Sequence, residues 1–192
     1  MAGQTIISVS REFGSGGHEI AEKIAKDLGM KFYDRKMLDE IAAEMNVQVE
    51  LLEKYDEKPR NYMLTRTVGK YTNSMEEILA EIQFDFIKEK ADKGESFVVV
   101  GRCSEAILKD YEGLISIFVS GKKEQKTARV MERYQLSEAE ALVKMARHDR
   151  KRKRYHNRHA DTKWGDSRHY DICINKNQRY YGTITNNQKK HN

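Results

Sequence analysis

One stretch near the N-terminus restricts the fold more than any other. Thr5-Ile6-Ile7-Ser8-Val9-Ser10 is a short apolar, β-branched run, and Gly14-Ser15-Gly16-Gly17 follows it almost at once. A helical pattern then runs from about Glu19 to Leu28, with Ile20, Ala21, Ile24, Ala25 and Leu28 at i, i+4 and i+8 spacing marking one buried face. Gly29 is placed to close that helix from the C′ position. A strand that turns through glycines directly into a helix is the opening unit of a parallel sheet covered by helices.

The rest of the chain continues the alternation. Lys31-Phe32-Tyr33 reads as a second short strand, with Asp34 expected to cap a helix reaching about Met45 and a further helix over 46–56. Residues 58–74 have weak periodicity and contain Pro59 and Gly69, so they read as a loop-rich excursion. Met75 to Lys93 is amphipathic, with Ile78, Leu79, Ile82, Phe86 and Ala91 mostly on one side and Gly94 ending it. Phe97 to Val100 and Leu114 to Val119 are uniformly apolar, as strands buried on both faces must be. Helices are expected over Lys123–Tyr134 and Ser137–Tyr155, the second opened by a Ser137/Glu140 capping box. Tyr170 to Asn175 reads as the last strand, followed by a polar tail from Asn177. The pattern predicts a three-layer parallel α/β fold, a single domain over 1–192.

Composition excludes several classes. The 192 residues are 39% hydrophobic, enough for a core, yet no uncharged apolar run approaches a membrane span. The first residues lack the charged and apolar regions of a secretory signal. Two cysteines, Cys103 and Cys173, make no disulfide framework and no zinc spacing, so a reduced, cytoplasmic setting is expected. Net charge is +5, concentrated in 147–158, which reads RHDRKRKRYHNR. Such a block suits either a polyanionic partner or a solvated helix face.

The glycine turn carries the chemistry. Consecutive backbone N–H groups and a helix N-terminus together make an anion site. The alternative is a plain tight turn, against which the number of glycines weighs. The turn is not a strict Walker A sequence. With Gly16 as the last glycine of GxxxxGK[ST], Arg11 stands at the first glycine, Gly17 at the lysine and His18 at the Ser/Thr. Another cation must then neutralise triphosphate charge, with Arg11 or a lid arginine as candidates. Imidazole is a poor Mg²⁺ ligand, so Ser10, Ser15 or waters alone are the candidates for that ion.

Arg102 follows a buried strand directly, at the sheet edge where ligands of open parallel sheets bind. Bidentate phosphate recognition and a structural ion pair both fit it, and Asp34-Arg35 shares the same edge and the same two readings. On the basic helix, Asp149, Arg152 and, one turn on, Tyr155 or His156 share a face. A lid closing over a nucleotide triphosphate uses cations in this way.

Three segments together resemble the cytidylate kinase-like branch of the nucleoside monophosphate kinases. They are Ser8 to Gly17, then Phe32-Tyr33-Asp34-Arg35, then Asp149-x-x-Arg152-x-x-Tyr155 with Trp164-Gly165-Asp166 and Tyr170-Asp171. The likeness runs from Ile6 to about Asn175, and a loop without lysine is typical of that branch. The resemblance implies a P-loop kinase fold with a five-stranded parallel sheet and a helical lid over 147–168. It implies ATP, with Mg²⁺, over Arg11 and Gly14, Ser15, Gly16, Gly17 and His18, with Arg150, Arg152 and Arg154 as catalytic lid arginines. Asp149 and Tyr155 would support the lid, as would Arg129 and Arg133. The acceptor monophosphate, CMP or dCMP, would lie near Asp34, Arg35 and Arg102 under the 58–74 excursion. Two rival readings are a nucleotide-binding sensor without turnover and an RNA-binding protein. The basic run offers only Tyr155 and His156 for base stacking, which weighs against RNA.

Overall fold

The computed structural model describes residues 3–56, 67–68, 71–72 and 74–176. In chain order the strands are β1 (Ile6–Arg11), β2 (Lys31–Tyr33), β3 (Thr67–Val68), β4 (Tyr71–Thr72), β5 (Phe97–Val100), β6 (Leu114–Ser120) and β7 (Ile172–Asn175). The helices are α1 (Gly17–Leu28), α2 (Met37–Met45), α3 (Val49–Glu53), α4 (Met75–Asp92), α5 (Ser104–Ile107), α6 (Lys123–Tyr134) and α7 (Glu138–His159). Five strands form one parallel sheet in the order β2-β5-β1-β6-β7, as the sequence resemblance implies. β3 and β4 form a separate antiparallel ribbon. The remainder of the 58–74 excursion, apart from Ser74, and the tail from Asn177 lie outside the described residues.

Alternation along β1 and β5 divides the core into two layers. Ile6, Phe97 and Val99 face α2 and α4, packing with Tyr33, Leu38, Ile41, Phe86 and Ile87. Ile7, Val9, Val98 and Val100 face α1, packing with Ala21, Ala25, Ile117 and Val119. Small alanines on α1 let that helix approach the sheet closely. A third cluster, Val130, Ala141 and Met145, joins α6 to α7.

Most expected elements stand where periodicity places them, including Gly29 in the left-handed C-cap of α1 and the reciprocal Ser137/Glu140 box on α7. Three differ. Asp34 does not cap α2, which starts three residues later. Its carboxylate instead accepts from the Lys36 N–H at 2.8 Å and bonds His18. The helix expected over 46–56 is reduced to the short α3. β7 begins at Ile172, because the Asp171 carboxylate accepts from both the N–H and the hydroxyl of Ser116, replacing ladder bonds at that end.

The turn after β5 is unusual. Gly101, Arg102 and Cys103 are consecutive left-handed residues, with φ of 77°, 60° and 53°. Two of them are not glycine, a conformation L-residues adopt only when their surroundings hold them there.

Candidate active site

The loop between β1 and α1 is built by its glycines. Gly14 and Gly16 have φ of 80° and 78°, and α1 starts at Gly17. Ser15 fastens the turn from inside: its hydroxyl donates to the Glu12 carbonyl at 2.8 Å and accepts from the Gly17 N–H at 3.3 Å. Gly17 is closed to any side chain. A Cβ there would lie 2.5 Å from Arg11 Cβ and 3.1 Å from Val119 Cβ. A lysine at this position would therefore require β1 or the loop backbone to shift. Above the loop lies a cavity of about 220 Å³, lined by Gly14, Gly16, Gly17 and His18 together with Arg11, Arg129, Arg133 and Arg152.

Cations gather over the loop from distant parts of the chain. The Arg129 guanidinium donates to the Gly14 carbonyl at 3.4 Å. Glu19, in the first turn of α1, pairs with Arg133 at 3.3 Å, Lys176 at 3.6 Å and Arg129 at 3.9 Å. Lys126 bonds Glu12 at 2.8 Å, and the same carboxylate oxygen accepts from the Gly121 N–H. Arg129 and Arg133, expected as lid supports, stand here, and Lys126 and Lys176, which no motif singles out, join them. The signal for Lys176 was its position just past the C-terminal end of a parallel strand, where the strand pattern already points.

One face of α7 grips the loop. Asp149 accepts from the Phe13 N–H at 2.7 Å, and Arg152 donates to the Arg11 carbonyl at 3.2 Å. The Phe13 ring stacks on His148 at 4.3 Å and on Tyr134 at 5.9 Å, and the Arg152 guanidinium lies 5.6 Å from its centroid. Burial pushes the Asp149 carboxyl above its ordinary value, against the opposing Phe13 N–H and Arg152. Burial, then the neighbouring Arg152 and Lys144, push the His148 imidazole down. One turn on, the residue facing the sheet is His156, whose Nε2 meets Glu105 at 2.7 Å. Glu105 also accepts from Ser10 at 3.2 Å and Ser8 at 3.4 Å, so α7 is tied through it to the floor of β1. Tyr155 packs against His159 instead. Arg150 and Arg154 are exposed and do not line the cavity over the loop. Of the three arginines expected in a lid, the structure brings Arg152 alone to the loop.

On the β2 side, His18 Nε2 and Asp34 are 2.8 Å apart. Burial works to raise the Asp34 carboxyl, but His18 and the Lys36 N–H outweigh it and hold it below its ordinary value. Arg102 is buried and makes a two-pronged pair with Asp56, whose carboxylate also accepts from Gln83 at 3.2 Å. Arg35 reaches the same carboxylate at 3.4 Å and Glu53 at 3.3 Å. Both readings left open for Arg102 bear on this arrangement, and here it is an ion pair. Asp56, its partner, had no sequence signal beyond being an acid at the end of a weak helix. Arg11 stands between the two sides: a Cβ at Gly101 would lie 2.5 Å from its guanidinium.

The two serines considered for Mg²⁺ are both buried, the Ser10 hydroxyl donating to Glu105 and that of Ser15 to Glu12. Among the described residues no group of three or more His, Cys, Asp or Glu is arranged to hold a metal ion. Among them, too, no helix is long and apolar enough to cross a membrane.

Comparison with known proteins bears on the whole of this arrangement. The profile of the cytidylate kinase-like family matches residues 6–178. The crystal structure of an uncharacterized protein from Eubacterium ventriosum is similar at 41% identity and a TM-score of 0.69, over 90% of this chain and 88% of that one. A shikimate kinase from Bacteroides thetaiotaomicron superposes with a TM-score of 0.51 over 89% of this chain and 86% of that one. At 13% identity that likeness speaks to the fold alone. No curated protein matches the chain.

Proposed function

The chain belongs to the cytidylate kinase-like family, and from that premise we propose that it transfers the γ-phosphoryl group of ATP to a nucleoside monophosphate, CMP or dCMP. The observation that carries this reading is the convergence of Arg11, Arg129, Arg133 and Arg152 on a cavity floored by the glycine loop. A basic, amide-lined recess of this kind suits the polyphosphate of a nucleotide.

In the proposed reaction an oxygen of the acceptor phosphate forms a bond to Pγ while the bond from Pγ to the bridging oxygen breaks. The electron pair leaves with ADP. The acceptor is already anionic, so no general base is required, and catalysis rests on positioning and charge. Arg152 is the residue to which we assign the transferring oxygens, since α7 fixes it beside the loop by its bond to the Arg11 carbonyl. Exposed Arg150 and Arg154 are assigned no direct contact. On the acceptor side we assign Arg35, at 59% side-chain exposure, to the incoming phosphate. Buried Arg102 holds Asp56 in place beneath it. Mg²⁺ bound with ATP would supply charge neutralisation at the phosphate oxygens, held there by those oxygens and by water.

The test is ADP release from MgATP across a panel of monophosphates. Turnover with CMP or dCMP well above AMP, GMP and UMP is expected. Tight ATP binding with no turnover on any acceptor would replace this reading with that of a nucleotide sensor.

A further inference from the structure

We infer that Lys176 supplies the charge the glycine loop lacks: a phosphate-binding lysine delivered from the end of the last strand instead of from the loop. The inference rests on the reading of the loop as the ATP site and adds to it a residue that reading does not require.

Three observations carry it. The position where a loop lysine would stand, Gly17, is sealed by Arg11 and Val119, so the loop has no means of presenting its own ammonium. Above Gly16, by contrast, the space a Cβ would take is filled by the ends of two cationic side chains, Arg129 and Lys176. A Cβ there would lie 2.6 Å from Lys176 Nζ and would collide with the Arg129 guanidinium. Finally, the backbone that delivers Lys176 is fixed by the sheet. Its N–H donates to the Ser120 carbonyl at 3.1 Å, one step beyond the β6–β7 pair Ser120↔Asn175.

The side chain is largely covered, at 11% exposure, although its carboxylate partner Glu19 is half exposed. Lys176 lines not the cavity of Arg11 and Arg152 but the recess beside it, of about 280 Å³, which shares Gly14 and Arg129 with that cavity and adds Ser15, Gly121 and Lys126. An ammonium held over left-handed glycines, at the N-terminus of α1, adds its charge where the dipole already favours an anion. Glu19 holds it there by an ion pair that is partly in water, hence weak and readily exchanged for phosphate.

The test uses the full chain and three probes: MgATP, inorganic tripolyphosphate and adenosine, with binding followed by calorimetry. Lys176→Ala should weaken ATP and tripolyphosphate alike by about ten-fold or more, the scale of one charge-assisted hydrogen bond, and leave adenosine unchanged. Lys176→Arg should recover most of the loss. Glu19→Gln, which removes the partner but not the ammonium, should bind tripolyphosphate at least as tightly as the parent. Lys153→Ala, on the exposed face of α7, controls for net charge, and thermal unfolding confirms that each variant is folded. Unchanged tripolyphosphate binding in Lys176→Ala overturns the inference while the ATP reading stands. Equal losses in Lys176→Ala and Glu19→Gln also overturn it, assigning Lys176 to the ion pair only. A parent protein that binds neither MgATP nor tripolyphosphate overturns the ATP reading and this inference together.

Discussion

The two sides of the cleft hold their cations by opposite means. On the loop side, Arg129, Arg133 and Lys176 share Glu19, a carboxylate that is 49% exposed. On the β2 side, Arg102 meets Asp56 in a buried pair in which both side chains are below 10% exposed, with Gln83 and Arg35 completing the carboxylate's partners. Pairs in water contribute little and exchange easily, whereas a buried pair is costly to break. The loop side is therefore arranged to change partners. The buried part of the β2 side serves as a frame, with exposed Arg35 as its exchangeable member.

The sharpest way to break this contrast is Arg102→Ala. It leaves the buried Asp56 carboxylate to Gln83 and the exposed Arg35 and should cost about 3 kcal/mol of stability, read from the urea midpoint. The double variant Arg102→Met, Asp56→Leu should regain most of it. A loss below about 1 kcal/mol would show the pair to be no frame at all. Next in size, Arg152→Ala should lower kcat by about 10²–10³-fold with little change in KM for ATP. Equal and small changes in both parameters would move Arg152 from the reaction to the scaffold.

The smallest effect is a pH dependence that also separates the sides. Half-buried His148 resists protonation in the folded chain, through its partial burial and then Arg152 and Lys144, while the unfolded chain takes up the proton near its ordinary 6.5. The unfolded state then binds more protons, so this contribution is whole above that pH and drains away as pH falls below it. His159 shifts in the same direction, mainly through burial. His148→Gln should flatten the fall in Tm between pH 7 and 5 by about 1–3 °C. Asp34, held below its ordinary 3.8, contributes stability that is lost only in the acid range beneath that value. A stability profile flat from pH 7 to 5 in the parent protein would remove the distinction.

Much of this architecture is legible in the chain because it rests on local rules. Valines and isoleucines at 97–100 and 114–119 state a buried strand, and Gly14 and Gly16 state a left-handed turn. The i, i+3, i+7 spacing of Asp149, Arg152 and His156 states one helix face, and all three turn toward β1 or its loop. What periodicity does not encode is the partner. Asp56 and Lys176 lie far along the chain from Arg102 and Gly16, so only the folded topology joins them. Likewise, Arg150 and Arg154 match Arg152 in chemistry and differ from it only by where a 3.6-residue turn leaves them. Asp34 looked like a helix cap because it precedes one. The sequence alone does not show that His18 would compete for the same carboxylate.

The sealed position at Gly17 also has an evolutionary reading. A single codon change that restored lysine there would drive its β-carbon into Arg11, so that step begins with a loop that does not close. Because the contact is with the β-carbon of residue 11, glycine there would be needed to clear it, giving up a cation that stands between both halves of the cleft. A stepwise route to a loop lysine would pass through a form with neither charge in place, which makes the present arrangement hard to leave by small steps.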